Sequence, residues 1–425
     1  LSGHIVLDKI KSEIVMEIST MGLLAAVLIV AAIGLAIPIG VLCVECGAAI
    51  GGKSQLNSSS SPTHTDSQEI KVSVLIPAHN EATEIGATVK ALLPQLKTTD
   101  QLIVIADNCT DETATIARQQ GATVLERHND HQRGKGYALD FGLQQLSPNP
   151  PDVIVMVDAD CRVEPGGIEK IAQQSATLNK PVQALYLMET PPTPSPKDSI
   201  SALAFLVKNL VRPFGLTQLG QPCLLTGTGM AFPWSTLQTI SLASGNIVED
   251  MQLGLDLAIA GNAPYFCGDA QVTGVLPQQA EAATSQRTRW EHGHLQTLST
   301  QVPRLIKAAL QQQRIDLLAL ALDLCVPPLS LLVMLWFAIT AVTGLFSVLT
   351  GIWLPTLLLS LEGILMAIAI ITAWAGFGRD RISGKTLLSI PFYVLWKIPL
   401  YFAFLFKPQK DWVRTQRDSV QTPKP

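Results

Sequence analysis

The residues of this chain best suited to chemistry are acids and cations placed at the ends of apolar runs. Asp158-Ala-Asp160 closes the run 153–157. On an extended strand, side chains two apart share a side. Two carboxylates so placed can hold one divalent ion by hard oxygen ligands and leave its other positions to diphosphate oxygens. Taken alone, such a pair is equally an ordinary loop or cap pattern. Its companions along the chain favour the chemical reading. Asp107 ends a second apolar run, and Asn108-Cys-Thr110 after it form a turn able to meet a base or ribose edge. Arg133-Gly-Lys135-Gly136 puts two cations in a glycine-containing turn ahead of a helix, suited to a diphosphate.

Glu249-Asp250 opens a stretch in which Met251, Leu255 and Ile259 recur at helical spacing. Acids there complement the helix dipole, and one of them can also take a proton from an acceptor hydroxyl. Gln286, Arg289 and Trp290 stand at i, i+3 and i+4, on one helix face. That face offers two donors to a diphosphate and one plane for a sugar to lie against. An Arg-Trp pair at a membrane surface has the same spacing. Gly227 and Gly229 allow close backbone approach to a sugar. Phe232 stands where a dinucleotide fingerprint needs a small residue, and no GxxxxGK[ST] occurs, so neither of those nucleotide folds is expected. His128, His131, His292 and His294 lack a third ligand nearby and read as structural.

The elements that must position these groups alternate. Runs at 72–76, 102–106 and 153–157 read as strands buried on both faces, and helical stretches follow at 82–93, 111–120 and 166–176. Such βαβ units give an α/β fold with a mostly parallel sheet, whose ligands bind at the carboxyl ends of the strands. Of the 425 residues 48% are hydrophobic and only 15% charged, which excludes intrinsic disorder. With 30 basic and 34 acidic residues the net charge is -4, so no nucleic-acid partner is expected. Seven scattered cysteines, an odd number, read as reduced thiols.

The apolar excess lies at the two ends. Residues 21–44 carry no charge over 24 positions, enough for a membrane helix and longer than a signal-peptide core. Residues 324–360 are also uncharged and hinge near Gly351, and 353–377 make a further span that contains Glu362. The stretch 386–406 includes Pro391, Lys397 and Pro399, and basic residues flank it on both sides. It reads as a re-entrant or interfacial segment with both ends in the cytoplasm. Val302, Leu305, Ile306, Ala309 and Leu310 draw an amphipathic stripe for the membrane surface. The expected order is a membrane-anchored segment at 1–50, a Ser-rich linker at 51–70 and an α/β domain at 71–299. An interfacial helix at 300–314, a membrane region at 315–406 and a basic tail at 407–425 follow.

The strings VLIPAHNE (74–81), ADNCTDET (106–113), RGKGYAL (133–139), VDAD (157–160), TGTGM (226–230), VED (248–250) and QRTRW (286–290) occur in this order. Together they resemble membrane-embedded family 2 glycosyltransferases, such as the synthases of cellulose, hyaluronan and poly-N-acetylglucosamine. The resemblance implies a GT-A, Rossmann-like domain between N- and C-terminal transmembrane helices. It also implies a nucleotide-sugar donor such as a UDP-sugar, Mg2+ or Mn2+, and inversion to a β-linkage. On that resemblance Asp107 and Lys135 hold the nucleotide, Asp158 contacts nucleotide or metal, and Asp160 ligates the ion. Asp250 is the general base, and Gln286 and Arg289 hold the diphosphate. Trp290 forms an acceptor floor with Gly227, Thr228 and Glu249.

The expected enzyme is thus an integral membrane hexosyltransferase with a cytoplasmic site, extending a cell-envelope polysaccharide. Three clear spans are few for a polymer channel, so an accessory membrane subunit, or a lipid acceptor and a glycolipid product, is the alternative. A non-enzymatic scaffold that senses a nucleotide is the remaining reading. The topology is open to a direct check: a reporter fused after Pro425 should be active on the cytoplasmic face, and activity on the outer face would contradict the assignment.

Overall fold

Short β-branched runs that are apolar on both faces can be satisfied only inside a sheet, and here they form its centre. The structure is a computed structural model describing residues 2–56, 69–189, 194–238, 240–243, 248–275 and 280–406; side chains at 2–19, 55–56, 275, 280–285 and 405–406 are not described. Most of the expected linker, at 57–68, the loop at 190–193 and the basic tail at 407–425 lie outside these residues. The strands are β1 (Val72–Ala78), β2 (Gln101–Asp107), β3 (Thr123–Arg127), β4 (Val153–Met156), β5 (Cys161–Val163), β6 (Val182–Glu189), β7 (Met230–Pro233) and β8 (Tyr265–Val275). They lie in the order β3-β2-β1-β4-β7-β6-β8-β5.

The expected parallel sheet is present from β3 to β4, each strand pairing parallel with the next. Beyond β4 the sheet becomes mixed, because β7 runs antiparallel to both β4 and β6, and β5 antiparallel to β8. The sheet is flanked by α2 (Ile85–Leu92), α3 (Thr113–Gln119), α4 (Lys135–Leu146) and α5 (Gly167–Leu178), after α1 (Ser2–Leu56) at the start of the chain. One core face gathers Val74, Ile76, Val104 and Val155 with Ile85, Val89 and Ile171. The other packs Leu75, Ile105, Ile154 and Met156 against Leu139 and Leu257.

The second half of the chain is mostly helical: α6 (Pro196–Leu206), a π-helical turn over Val207–Val211, α7 (Arg212–Gln218), α8 (Trp234–Leu237), α9 (Glu249–Ile259), α10 (Ala280–Gln312), α11 (Ile315–Cys325), α12 (Leu329–Thr350), α13 (Leu354–Ala373) and α14 (Ile390–Phe406). Five helical segments among the described residues are long and apolar enough to cross a membrane, namely Thr20–Ser54, Pro196–Gln218, Leu329–Thr350, Leu354–Gly378 and Gly384–Phe404. Gly351, at φ 76°, ends α12 and makes the expected hinge to α13. Pro196–Gln218 escaped the sequence reading because its charges, Lys197, Asp198, Lys208 and Arg212, break the apolar run. The stretch expected to be re-entrant is a 3-10 turn followed by the helix α14.

Two further expectations are corrected. The interfacial stripe at 300–314 is not a separate helix, since α10 runs through it from Ala280. Its apolar face is largely covered by protein rather than left for lipid: Leu305, Ala308 and Ala309 pack with Met251 and Leu255 of α9 and with Leu317 and Leu320 of α11. Ile306 and Leu310 remain exposed.

In α1 the buried residues Ala32, Leu35, Ile39, Leu42, Cys46 and Ala49 recur every three and four positions, and join a core with α6, α7, α12 and α13. On the same helix Glu45 Oε2 accepts from Arg212 Nε at 2.7 Å, while Arg212 Nη2 donates to the Asp323 carbonyl at 2.6 Å and to its carboxylate. Glu45 is 2%, Arg212 5% and Asp323 5% exposed, so this triad welds α1, α7 and α11 where no water can replace a lost partner. Arg212→Ala should strand two buried acids and destabilise the fold by about 3–5 kcal/mol. A clear drop in the thermal midpoint of the detergent-solubilised protein is the expected readout, and an unchanged midpoint would contradict it.

Candidate functional site

Parallel strands deliver their last residues to one edge, and Asp107 is the last residue of β2. It is 5% exposed, and its Oδ1 accepts from Arg127 Nη1 at 2.6 Å and from Asn108 Nδ2 at 3.1 Å. Arg127 lies directly opposite on β3, and it also donates to the Gln132 carbonyl at 2.8 Å, which ties down the loop before Lys135. Sequence reasoning missed Arg127 because β3 has only partial burial and little β-branched signal. A cation at the end of a run next to an acid-ended strand was the available clue. Arg133, the other expected cation of that loop, pairs with Asp130 at the rim.

Asp158 and Asp160 come together differently from the strand-end expectation. β4 stops at Met156, and 159–160 form a turn in which Cys161 N donates to the Asp158 carbonyl at 3.1 Å. This turn, rather than an extended strand, brings ligating atoms of Asp158, Asp160 and Cys161 within 4.8 Å of one another. Burial, reinforced by the two carboxylates, pushes the Cys161 thiol well above its ordinary range, so it stays protonated and contributes no hard ligand. Thr228 does not line an acceptor floor. It is 0% exposed, and its hydroxyl accepts from Asp158 N at 3.1 Å, so it fixes the acidic turn from behind.

Lys135 begins α4, and its Nζ donates to Asp158 Oδ1 at 2.5 Å and to the Gly227 carbonyl at 2.6 Å. Burial alone would lower its pKa, but the charges of Asp158, Glu249 and Asp250 outweigh burial and raise it, so it remains a cation. Burial raises the Asp158 pKa against the opposing pull of Lys135. Gly227 has φ 95°, and a Cβ there would come within 3.1 Å of Asp250 Oδ2 and 3.7 Å of Lys135 Nζ. The glycine thus lets α9's acidic start approach the lysine. Glu249 and Asp250 form the first turn of α9, as the helical spacing predicts.

Gln286, Arg289 and Trp290 lie on α10 and face the same space. The Trp290 ring is 6.0 Å from that of Phe205 on α6, which in turn meets Tyr186 at 5.3 Å. The Gln286 Oε1 atom is buried with no hydrogen-bond partner among the described residues. One cavity of about 1030 Å³ is lined by Asp107, Lys135, Asp158, Asp160, Gly227, Glu249, Asp250, Gln286, Arg289 and Trp290. Of the site residues that the resemblance implies, Thr228 stands behind its wall; Cys109, Thr110 and Gly229, also singled out from the sequence, are not part of the lining either.

Lys208 and Asn209, which the sequence reading passed over, also line the cavity from the π-helical turn between α6 and α7. Lys208 is within electrostatic reach of Asp250. A π turn adds one residue to the ring and shifts the phase of the helix, so Lys208 and Asn209 read in sequence as mere interruptions of an apolar run; such turns often occur at functional sites. His294 lines the cavity as well, and burial with two nearby cations pushes its pKa down to about 3, so it is neutral. His292 is structural as expected, with Nε2 3.1 Å from the Leu400 carbonyl.

Comparison with known proteins adds a family. The family described as "Glycosyltransferase like family 2" matches residues 69–293. An uncharacterized protein of Methanocaldococcus jannaschii is 33% identical over 103 residues, covering 24% of this chain and 41% of that protein. The 4,4'-diaponeurosporenoate glycosyltransferase of Staphylococcus aureus is 37% identical over 92 residues, 21% of this chain and 24% of the relative. The chain therefore spans well under two thirds of the curated relatives it matches. Among solved structures, the mannosyltransferase PcManGT of Pyrobaculum calidifontis, in complex with GDP-Man and Mn2+, aligns over 82% of this chain and 99% of its own, at 16% identity and a TM-score of 0.49. With the family matched over more than half its length, and with the mixed α/β sheet of a GT-A fold, this chain belongs to the glycosyltransferase-like family 2.

Proposed function

We infer that the chain is a hexosyltransferase that moves a sugar from a nucleotide-sugar, with UDP-sugars the first candidates, to an acceptor hydroxyl with inversion to a β-linkage. The observation that carries this reading is the convergence in one cavity of the paired acids Asp158 and Asp160, the acidic helix start Glu249-Asp250, and the Gln286, Arg289, Trp290 face. Asp158 and Asp160 suit a hard divalent ion such as Mg2+ or Mn2+ by the chemistry of their oxygens. When bound, such an ion offsets the charge of the departing diphosphate. Gln286 and Arg289 donate to that diphosphate, and Arg127 holds Asp107 ready for the nucleoside. Asp250 takes the proton of the attacking hydroxyl while Trp290 supports the acceptor from below.

A growing cell-envelope polysaccharide, in the manner of the cellulose and hyaluronan synthases, is one product class, and it calls for further membrane helices from an accessory subunit. A glycolipid product has a specific observation in its favour. From Trp290 the cavity continues along Phe205, Val207, Pro327, Pro328, Leu329 and Tyr393 to the start of α12 and the side of α14. That apolar wall, between helices long enough to cross a membrane, suits an acceptor with an apolar body, delivered from the bilayer to a site on the cytoplasmic side.

Three measurements test the reading. Membranes containing the protein, given labelled sugar nucleotides and Mn2+, should yield labelled product that EDTA abolishes: a size ladder for a polymer, a single organic-extractable species for a lipid. Asp250→Asn should reduce transfer by roughly 10²–10⁴-fold with donor binding kept; near-normal turnover would remove Asp250 from the role.

The third concerns pH. Burial first, then the neighbouring Asp250 charge, push Glu249 up to about 7 from its ordinary 4.5. The folded state therefore holds a proton that the unfolded chain gives up between these values. The stabilisation from protonated Glu249 is full below the lower value and is lost as pH rises through the upper one. Glu249→Gln should raise the thermal midpoint at pH 8 and leave it unchanged near pH 5, and equal midpoints at both would contradict the shift.

A further inference from the structure

A lysine in an apolar helix is costly unless it is paired and faces protein. Lys397 sits in the middle of α14 and is 1% exposed, whereas Leu388, Phe392, Leu395 and Phe402 of the same segment are largely exposed. Its Nζ donates to Glu291 Oε1, and it lies 5.4 Å from the Tyr393 ring centre. Glu291 is the residue after Trp290 on α10.

The contact extends along both helices. Trp396 is approached by Arg287 of α10, at 5.9 Å from the ring centre, and by Lys197 of α6 at 4.5 Å. Arg287 also pairs with Asp198 of α6 at 3.6 Å. One turn further, His292 donates to the Leu400 carbonyl, and its ring meets that of Phe404 at 5.1 Å. Positions 393, 396, 397, 400 and 404 form one face of α14, and this face clasps 287–292, the turn of α10 that carries Arg289 and Trp290. Tyr393 and Glu291 line the cavity itself.

We propose that α14 is part of the active site and that Lys397 is a positioning residue, holding the Arg289–Trp290 turn in register through Glu291 so that the acceptor meets Trp290 in one fixed orientation. The proposal rests on the transfer reading above for what the turn does, but the clasp itself is a statement about α10 and α14 alone. It explains why a segment bearing Pro391, Lys397 and Pro399, poorly suited to lipid on every side, is built into the chain. Phe205 and Asp198 bring α6 to the other side of the same turn, so the QRTRW face is gripped from two directions.

The test separates positioning from plain stability. In the full-length protein, Lys397→Met strands Glu291 and should lower both thermal midpoint and transfer. Adding Glu291→Gln removes the stranded charge. The double variant should regain the wild-type midpoint and still show acceptor KM raised or kcat lowered at least ten-fold. Lys397→Arg, which keeps a cation opposite Glu291, should retain more transfer than the double variant. A double variant with wild-type kcat and acceptor KM would overturn the proposal, since the pair would then serve stability alone. Hydrogen exchange of 286–292 supplies a readout independent of activity: faster exchange in the double variant supports the clasp, and unchanged exchange overturns it. A wild-type protein without transfer on any sugar nucleotide would sink the functional reading, while the exchange result would still decide the clasp.

Discussion

Carboxylates crowded at the open edge of a sheet repel one another, and in this molecule the crowd is held together by one ammonium group. Lys135 Nζ reaches Asp158 and the Gly227 carbonyl, and its charge is felt by Glu249 and Asp250 on a third segment. Three stretches far apart in sequence therefore meet because α4 starts where it does. The position of Gly227 follows from the same need, since a side chain there would press against Asp250. Arg127 performs the equivalent service for Asp107 at the neighbouring strand end. On the proposed reading the acids so gathered serve two ends: Asp158 and Asp160 suit a divalent ion, and Asp250 a hydroxyl proton.

Much of this was legible because the central strands are runs of β-branched residues that no other element accommodates, and because acids directly after such runs must fall at the sheet's carboxyl edge. The sequence reading was less informative wherever the backbone departs from a regular period. Asp158 and Asp160 do lie side by side, but a turn, not an extended strand, brings them together. TGTGM shows its glycines but not which way Thr228 points, and that threonine faces the protein interior. Lys208 and Asn209 look like interruptions of an apolar helix until the π turn aims them inward. β3, β5 and β7 are short, and β8 carries Gly and Asp within its length, so none announces itself.

The helical half was misjudged for a different reason. Apolar content is a property of a segment, whereas the partner of an apolar face is a property of the fold. The stripe at 302–310 is amphipathic, as its spacing says, but α9 and α11 cover most of it. The segment 386–406 reads as awkward for lipid because of Lys397, and the awkwardness disappears once Glu291 is its neighbour. The charge inside this apolar run thus marks a helix–helix contact, whatever path the segment takes through the bilayer.

These contacts make the apolar helices and the sheet mechanically continuous. Arg212 joins α1 to α11 and begins α7, directly after the π turn that brings Lys208 toward Asp250. On the opposite wall α14 holds the turn of α10 that bears Trp290. Two sets of elements therefore line the cavity: strand ends, the turn after β4 and α4 carry Asp107, Asp158, Asp160 and Lys135, while helices outside the sheet carry Lys208, Gln286, Arg289 and Trp290. On the proposed transfer reading α10 therefore couples the two halves of the reaction: it carries Gln286 and Arg289 for the diphosphate and Trp290 for the acceptor, and α14 grips the turn that bears them.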